Sequence, residues 1–180
     1  NVNAPGDSAL VAGSRAAGAD TASYRLWLQR LREVCTRRGI VFILDEVMMG
    51  FRCGAGGVQA QYSVRADLVT YGKSLGGGLP VGVVCGRAEL MRRYRENHPA
   101  DICFARGTFN AHPYVMGAMH EFLRHLEDPE VQRELGVADA LWNQRAEELN
   151  ARLAAAALPL RVASLGSVWT VCYPVPSRYH

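Results

Sequence analysis

Ile40-Val41-Phe42-Ile43-Leu44-Asp45-Glu46 is an unbroken β-branched and aromatic run that ends on two acids. Such a run has no polar alternation. It predicts a strand buried on both faces, the habit of parallel sheets covered by helices. Upstream, Tyr24, Leu28, Leu31 and Cys35 recur at helical spacing between Asp20 and Arg38. Asp20 or Thr21 can cap that helix, Arg37 and Arg38 suit its negative end, and Gly39 can take the left-handed stop. Downstream, Leu68-Val69-Thr70-Tyr71 and Val81-Gly82-Val83-Val84-Cys85 read as two more strands, and Ala88 to Arg95 as a short charged helix. This alternation is the mark of an α/β fold. Residues 1 to 20 read as loop with a short strand at Ala9-Leu10-Val11.

Pro113 to Leu126 predicts another helix, striped by Val115, Met119, Phe122 and Leu126 and broken by Glu127-Asp128-Pro129. Ala138 to Ala157 predicts a long helix with Leu141, Leu149 and Leu153 on one side. Leu160-Arg161-Val162 and Val168 to Cys172 read as strands that begin another layer or domain.

Composition narrows the function. The 180 residues are 49% hydrophobic and 21% charged with a net charge of +3, which excludes disorder. No basic stripe marks a nucleic-acid partner. No apolar run approaches the roughly 20 residues of a membrane span. Five cysteines without a CxxC pair, and no charged-then-apolar leader, point to thiols in a reducing, cytoplasmic setting. The start at Asn1 and the stop at Arg178-Tyr179-His180, just after a strand-like run, predict a piece of a longer protein.

Three places can carry chemistry. Asp45-Glu46 ends the first strand, where open α/β sheets face their ligands; taken alone, a strand-end acid capping the next turn is the better explanation. Lys73 follows the second strand and precedes Gly76-Gly77-Gly78-Leu79-Pro80. Gly72-Lys73-Ser74 tempts a phosphate-loop reading, but position 67, where that pattern needs Gly, is Asp67. Gly54-Ala55-Gly56 fails as a dinucleotide fingerprint because position 59 is Gln59. Gly107-Thr108, just before a helix, is a candidate anion turn. His112 with His120 lacks a third ligand at sensible spacing, so no metal is expected, and Met48-Met49 reads as packing. Brought into one crevice, a Schiff-base lysine, a carboxylate and a phosphate-binding hydroxyl would match the aldehyde, ring nitrogen and phosphate of pyridoxal 5′-phosphate.

The stretches Phe42 to Arg52, Ala66 to Gly82 and Gly107-Thr108-Phe109 resemble the class III aminotransferases, closest to the glutamate-1-semialdehyde 2,1-aminomutase branch. The resemblance implies the fold-type I transferase, with a mostly parallel sheet. Residues 1–126 would form part of the cofactor-binding large domain, and 127–180 the beginning of an α+β small domain. It makes Lys73 the Schiff-base lysine, Asp45 the partner of the pyridine nitrogen and Val47 the apolar residue against the cofactor ring. It makes Thr108 a phosphate ligand supplied across a homodimer interface. Glu46 and Arg52 take structural parts in it, strand-end hydrogen bonding and an ion pair. The implied activity is amino-group transfer, by transaminase or aminomutase, on a small amino or keto substrate. The rival from another class is a non-catalytic chain that keeps the motif and only packs against a partner.

Overall fold

The computed structural model describes residues 17–93, 96–97, 107–165 and 167–173. The strand expected at Ala9-Leu10-Val11 lies outside them. The chain divides into two compact units, one of residues 28–132 and one that gathers the described residues before and after it.

Helix α1 spans Ala17–Arg38, and its part in the first unit, from Leu28 on, buries Leu28 and Cys35. It ends as its sequence predicts. Gly39 takes φ +64°, its N–H donates to Thr36 O, and the Ile40 N–H donates to Cys35 O at 2.9 Å. That bond pair is a Schellman stop, satisfying carbonyls the helix leaves over.

Strand β1 (Ile43–Asp45) runs parallel to β2 (Leu68–Gly72), and β2 runs antiparallel to β3 (Gly82–Gly86). The sheet order is β1-β2-β3. The described sheet is therefore mixed, not mostly parallel. Nor is the 40–44 run buried on both faces: Phe42 is buried, but Ile43 is 55% exposed and Ile40 and Val41 are exposed too. The reason is position. Among the described residues β1 is an edge strand, and only its Phe42 face meets the core of Leu28, Cys35, Val58, Tyr62, Val64 and Val69.

Asp67, at the head of β2, ties this unit together. Its Oδ2 accepts from the Phe42 N–H at 2.8 Å and from Arg32 Nη1 at 2.6 Å, and its Oδ1 accepts from Arg87 at 3.0 Å. One carboxylate thus links α1, the entry to β1 and the exit of β3. Those donors, the Phe42 N–H foremost, hold its pKa down at about 2. Of the helix expected from Ala88 to Arg95, residues 88–93 form a single turn, closed by Leu90 and Met91 N–H groups on Arg87 O, and Tyr94 and Arg95 lie outside the described residues. Nucleating a helix is costly, and here the Arg87 side chain is drawn to Asp67 and Glu89.

Helix α2 (Gly57–Tyr62) is short. Helix α3 (Pro113–Leu126) presents the stripe its spacing predicts, with Val115, Met119 and Phe122 half-buried and Leu126 buried. It packs on the 3₁₀ turn Lys73–Gly76, and its Phe122 meets Phe51 edge-on at 5.2 Å.

Helix α4 spans Pro129–Ala155 and begins well before Ala138. Glu127-Asp128-Pro129 ends α3 as expected, and Pro129 also starts α4, because Asp128 Oδ1 accepts from the Glu130 N–H at 2.8 Å and caps it. In the second unit, α4 turns Ala138, Trp142, Ala146 and Leu153 inward, while Leu141 and Leu149 are exposed. Strands β4 (Arg161–Leu165) and β5 (Val168–Cys172) pair antiparallel. Asn150 brackets the buried Val162, donating to its carbonyl at 2.8 Å and accepting from its N–H at 2.7 Å.

Candidate active site at the carboxyl edge of the sheet

Parallel pairing decides where the candidate residues meet. Asp45 is the last residue of β1, and its register partner on β2 is Thr70. Two residues on, β2 ends at Gly72, and Lys73 follows. The carboxyl ends of two adjacent parallel strands therefore bring Asp45 and Lys73 to one edge, where α/β sheets bind ligands.

Successive strand residues point to opposite faces, and this separates the two acids. Glu46 turns inward and is 1% exposed. It accepts from the Val58 N–H at 2.9 Å and the Gln59 N–H at 3.2 Å, at the start of α2. Burial pushes its pKa up against the pull of those donors. Its expected part, strand-end hydrogen bonding, is what it does. Arg52, expected in an ion pair, makes none among the described residues. Asp45 turns outward and is exposed. Its Oδ1 accepts from the Val47 N–H and from Thr70 Oγ1, each at 3.0 Å. Those bonds, the backbone one first, hold its carboxyl below the usual carboxylate range, and the Lys73 charge adds to them.

The backbone around Lys73 is unusual. Lys73 is exposed at φ +48°, a left-handed conformation uncommon for any residue with a Cβ. Gly77 and Gly78 continue the turn at φ +58° and +99°. Gly72 is buried so tightly that an added Cβ would stand 3.1 Å from Val81 O and 3.4 Å from Val47 Cγ1. Val47 thus lies against the strand end that launches Lys73.

Thr108 stands in the exposed turn 107–111, closed by the Asn110 N–H on Gly107 O at 3.0 Å. His112 leads into α3 with its ring 5.5 Å from that of Tyr114, and no cluster of metal-ligating side chains occurs among the described residues. A groove of about 870 Å³ opens at the opposite edge, beside Arg32, Thr36, Arg65, Asp67 and Arg87. Arg32 and Arg87 are already engaged there by Asp67.

Two features escape motif reading. Thr70 matters only through the strand register. The other is plain in the composition: Lys73 is the sole lysine of the chain, all other Lys and Arg positions being arginine. Arginine stays protonated and does not form Schiff bases, so a single side chain can act as an amine nucleophile.

The described sheet is mixed α/β and sets an acid and a lysine at the carboxyl ends of two adjacent parallel strands. The family follows from comparison. A family model described as Aminotransferase class-III matches residues 10–171, and the chain belongs to that family, which uses pyridoxal phosphate. Glutamate-1-semialdehyde 2,1-aminomutase from Anaeromyxobacter sp. (strain Fw109-5) is 40% identical over 147 residues, covering 82% of this chain and 33% of the relative. An omega-transaminase from Sphaerobacter thermophilus superposes with a TM-score of 0.71 at 35% identity, over 84% of this chain and 34% of that one. A transaminase solved with PLP bound superposes with a TM-score of 0.65 at 30% identity, over 81% and 33%. The chain spans about a third of the length of these relatives.

Proposed function

We propose that this chain carries the lysine-bearing part of a PLP-dependent aminotransferase or aminomutase. The observation that carries the reading is the pairing of Asp45 and Lys73 on adjacent parallel strand ends. The donor set suits the cofactor: an amine, an outward carboxylate with a free oxygen, and an apolar Val47 beside the strand end. When bound, pyridoxal phosphate supplies a carbonyl that condenses with amines and a ring that accepts electrons from a substrate carbon.

The residues divide the remaining work. Lys73 Nζ anchors the cofactor and then carries the substrate Cα proton, as base and as acid. Asp45 keeps a ring N–H protonated at its free oxygen, an electrostatic effect that a preorganised carboxylate makes large. Val47 packs beside the ring. Thr108 binds phosphate, and the resemblance to the family assigns it to a neighbouring subunit's site. In this reading residues 1–126 belong to the cofactor-binding large domain and 127–180 to the start of the small domain, in a cytoplasmic homodimer acting on small amino or keto compounds.

The test is exchange of the substrate Cα proton with solvent in the Asp45→Asn protein. Cofactor should still bind, and exchange should slow by orders of magnitude, since removing one preorganised charge contact costs roughly 10²-fold or more. Exchange at the parental rate would sink the assignment of Asp45.

A further inference from the structure

We propose that Thr70 is a positioning residue that orients the Asp45 carboxylate and keeps one of its oxygens available to a ligand. The inference rests on the function proposed above and adds a residue to it.

The geometry is specific. Asp45 and Thr70 are Cα partners across the β1–β2 pair. The Glu46 N–H donates to Thr70 O at 2.9 Å, so the backbones are fixed at that level. Thr70 Oγ1 and the Val47 N–H both donate to Oδ1 of Asp45, each at 3.0 Å. An sp² oxygen has two lone pairs, so Oδ1 is saturated. Oδ2 has no partner among the described residues. A lone strand-end carboxylate would turn about its last torsion, which is broad and roughly two-fold. Two donors on one oxygen hold the plane, and the second oxygen stays exposed. The charged group that also acts on this carboxylate is Lys73, on the adjoining 3₁₀ turn.

Thr70→Val removes the hydroxyl and keeps the shape; Thr70→Ser keeps the hydroxyl. Two readouts separate this proposal from the one it builds on. The first is the Asp45 carboxyl titration, followed by ¹³C NMR in the cofactor-free chain and assigned with Asp45→Asn. The second is PLP affinity, read from its absorbance. Loss of one hydrogen bond to a charged group should move the Asp45 midpoint upward in Thr70→Val and weaken PLP binding by roughly fivefold. Thr70→Ser should restore both. If Thr70→Val does not fold by circular dichroism, Thr70→Ala takes its place with the same expectation. An unchanged Asp45 midpoint in a folded Val or Ala variant overturns the proposal, as does a folded Ser variant that fails to restore it. A parental chain that binds no PLP overturns the functional reading instead, and the titration still decides whether Thr70 governs Asp45.

Discussion

Gly76 and Val81 approach so closely that a Cβ on Gly76 would stand 2.9 Å from Val81 Cγ1. The contact closes the glycine turn after Lys73 back onto the residue that precedes β3. It lets the chain reverse within a few residues of the strand end and keeps Lys73 at the sheet edge.

Gly76→Ala should therefore destabilise the chain by about 1–3 kcal/mol, the usual cost of overpacking a filled site. Val81→Ala removes the atom that would clash, so the double variant should recover part of that loss. A urea-unfolding double-mutant cycle measures the coupling. Strict additivity of the two substitutions would show that the contact does not constrain the turn.

Lys73 sits at φ +48°, where a Cβ costs roughly 1–2 kcal/mol. Lys73→Gly should then be more stable than Lys73→Ala by about 0.5–1 kcal/mol, after the entropy glycine loses on folding is counted. The sign is the reverse of an ordinary Ala-to-Gly change. Thermal denaturation of both variants reads it directly, and a less stable glycine variant would contradict the strained geometry.

Asp67 predicts an acid dependence. Its carboxyl is held at about 2 when folded, against an ordinary value of 3.8, by the Phe42 N–H, Arg32 and Arg87. A depressed folded pKa means that the unfolded chain takes up the proton more readily. The stabilisation is thus complete above the unfolded value and is lost as pH falls from about 4 toward 2. Asp67→Asn should lower stability at neutral pH by roughly 1–3 kcal/mol and flatten this part of the acid limb. Denaturant midpoints between pH 2 and 6 test both, and an unaltered acid limb in the variant would rule out Asp67 as its source.

Much of this was legible in local pattern, and the misses share a cause. The α1 stop at Gly39 and the α3 stripe from Val115 to Leu126 depend on neighbours in sequence, and both formed as read. The 40–44 run misled because burial of a strand depends on what covers each face, which Ile43 cannot encode. The sequence pattern starts the long helix at Ala138, because its true start at Pro129 turns on Asp128 capping it. Asp45 and Lys73 were visible as motif residues, yet their shared edge follows from parallel pairing, and so does the place of Thr70.

Reductive trapping tests the central claim most directly. The purified chain is mixed with PLP, its visible spectrum is recorded before and after borohydride, and the adduct is located by peptide mapping. A visible band that converts to a stable adduct on Lys73 is the predicted result, with none in Lys73→Arg. Because Lys73 is the sole lysine, the other amine able to react is the chain's own N-terminus. A folded chain that yields no adduct, or an adduct at the N-terminus alone, would contradict the account.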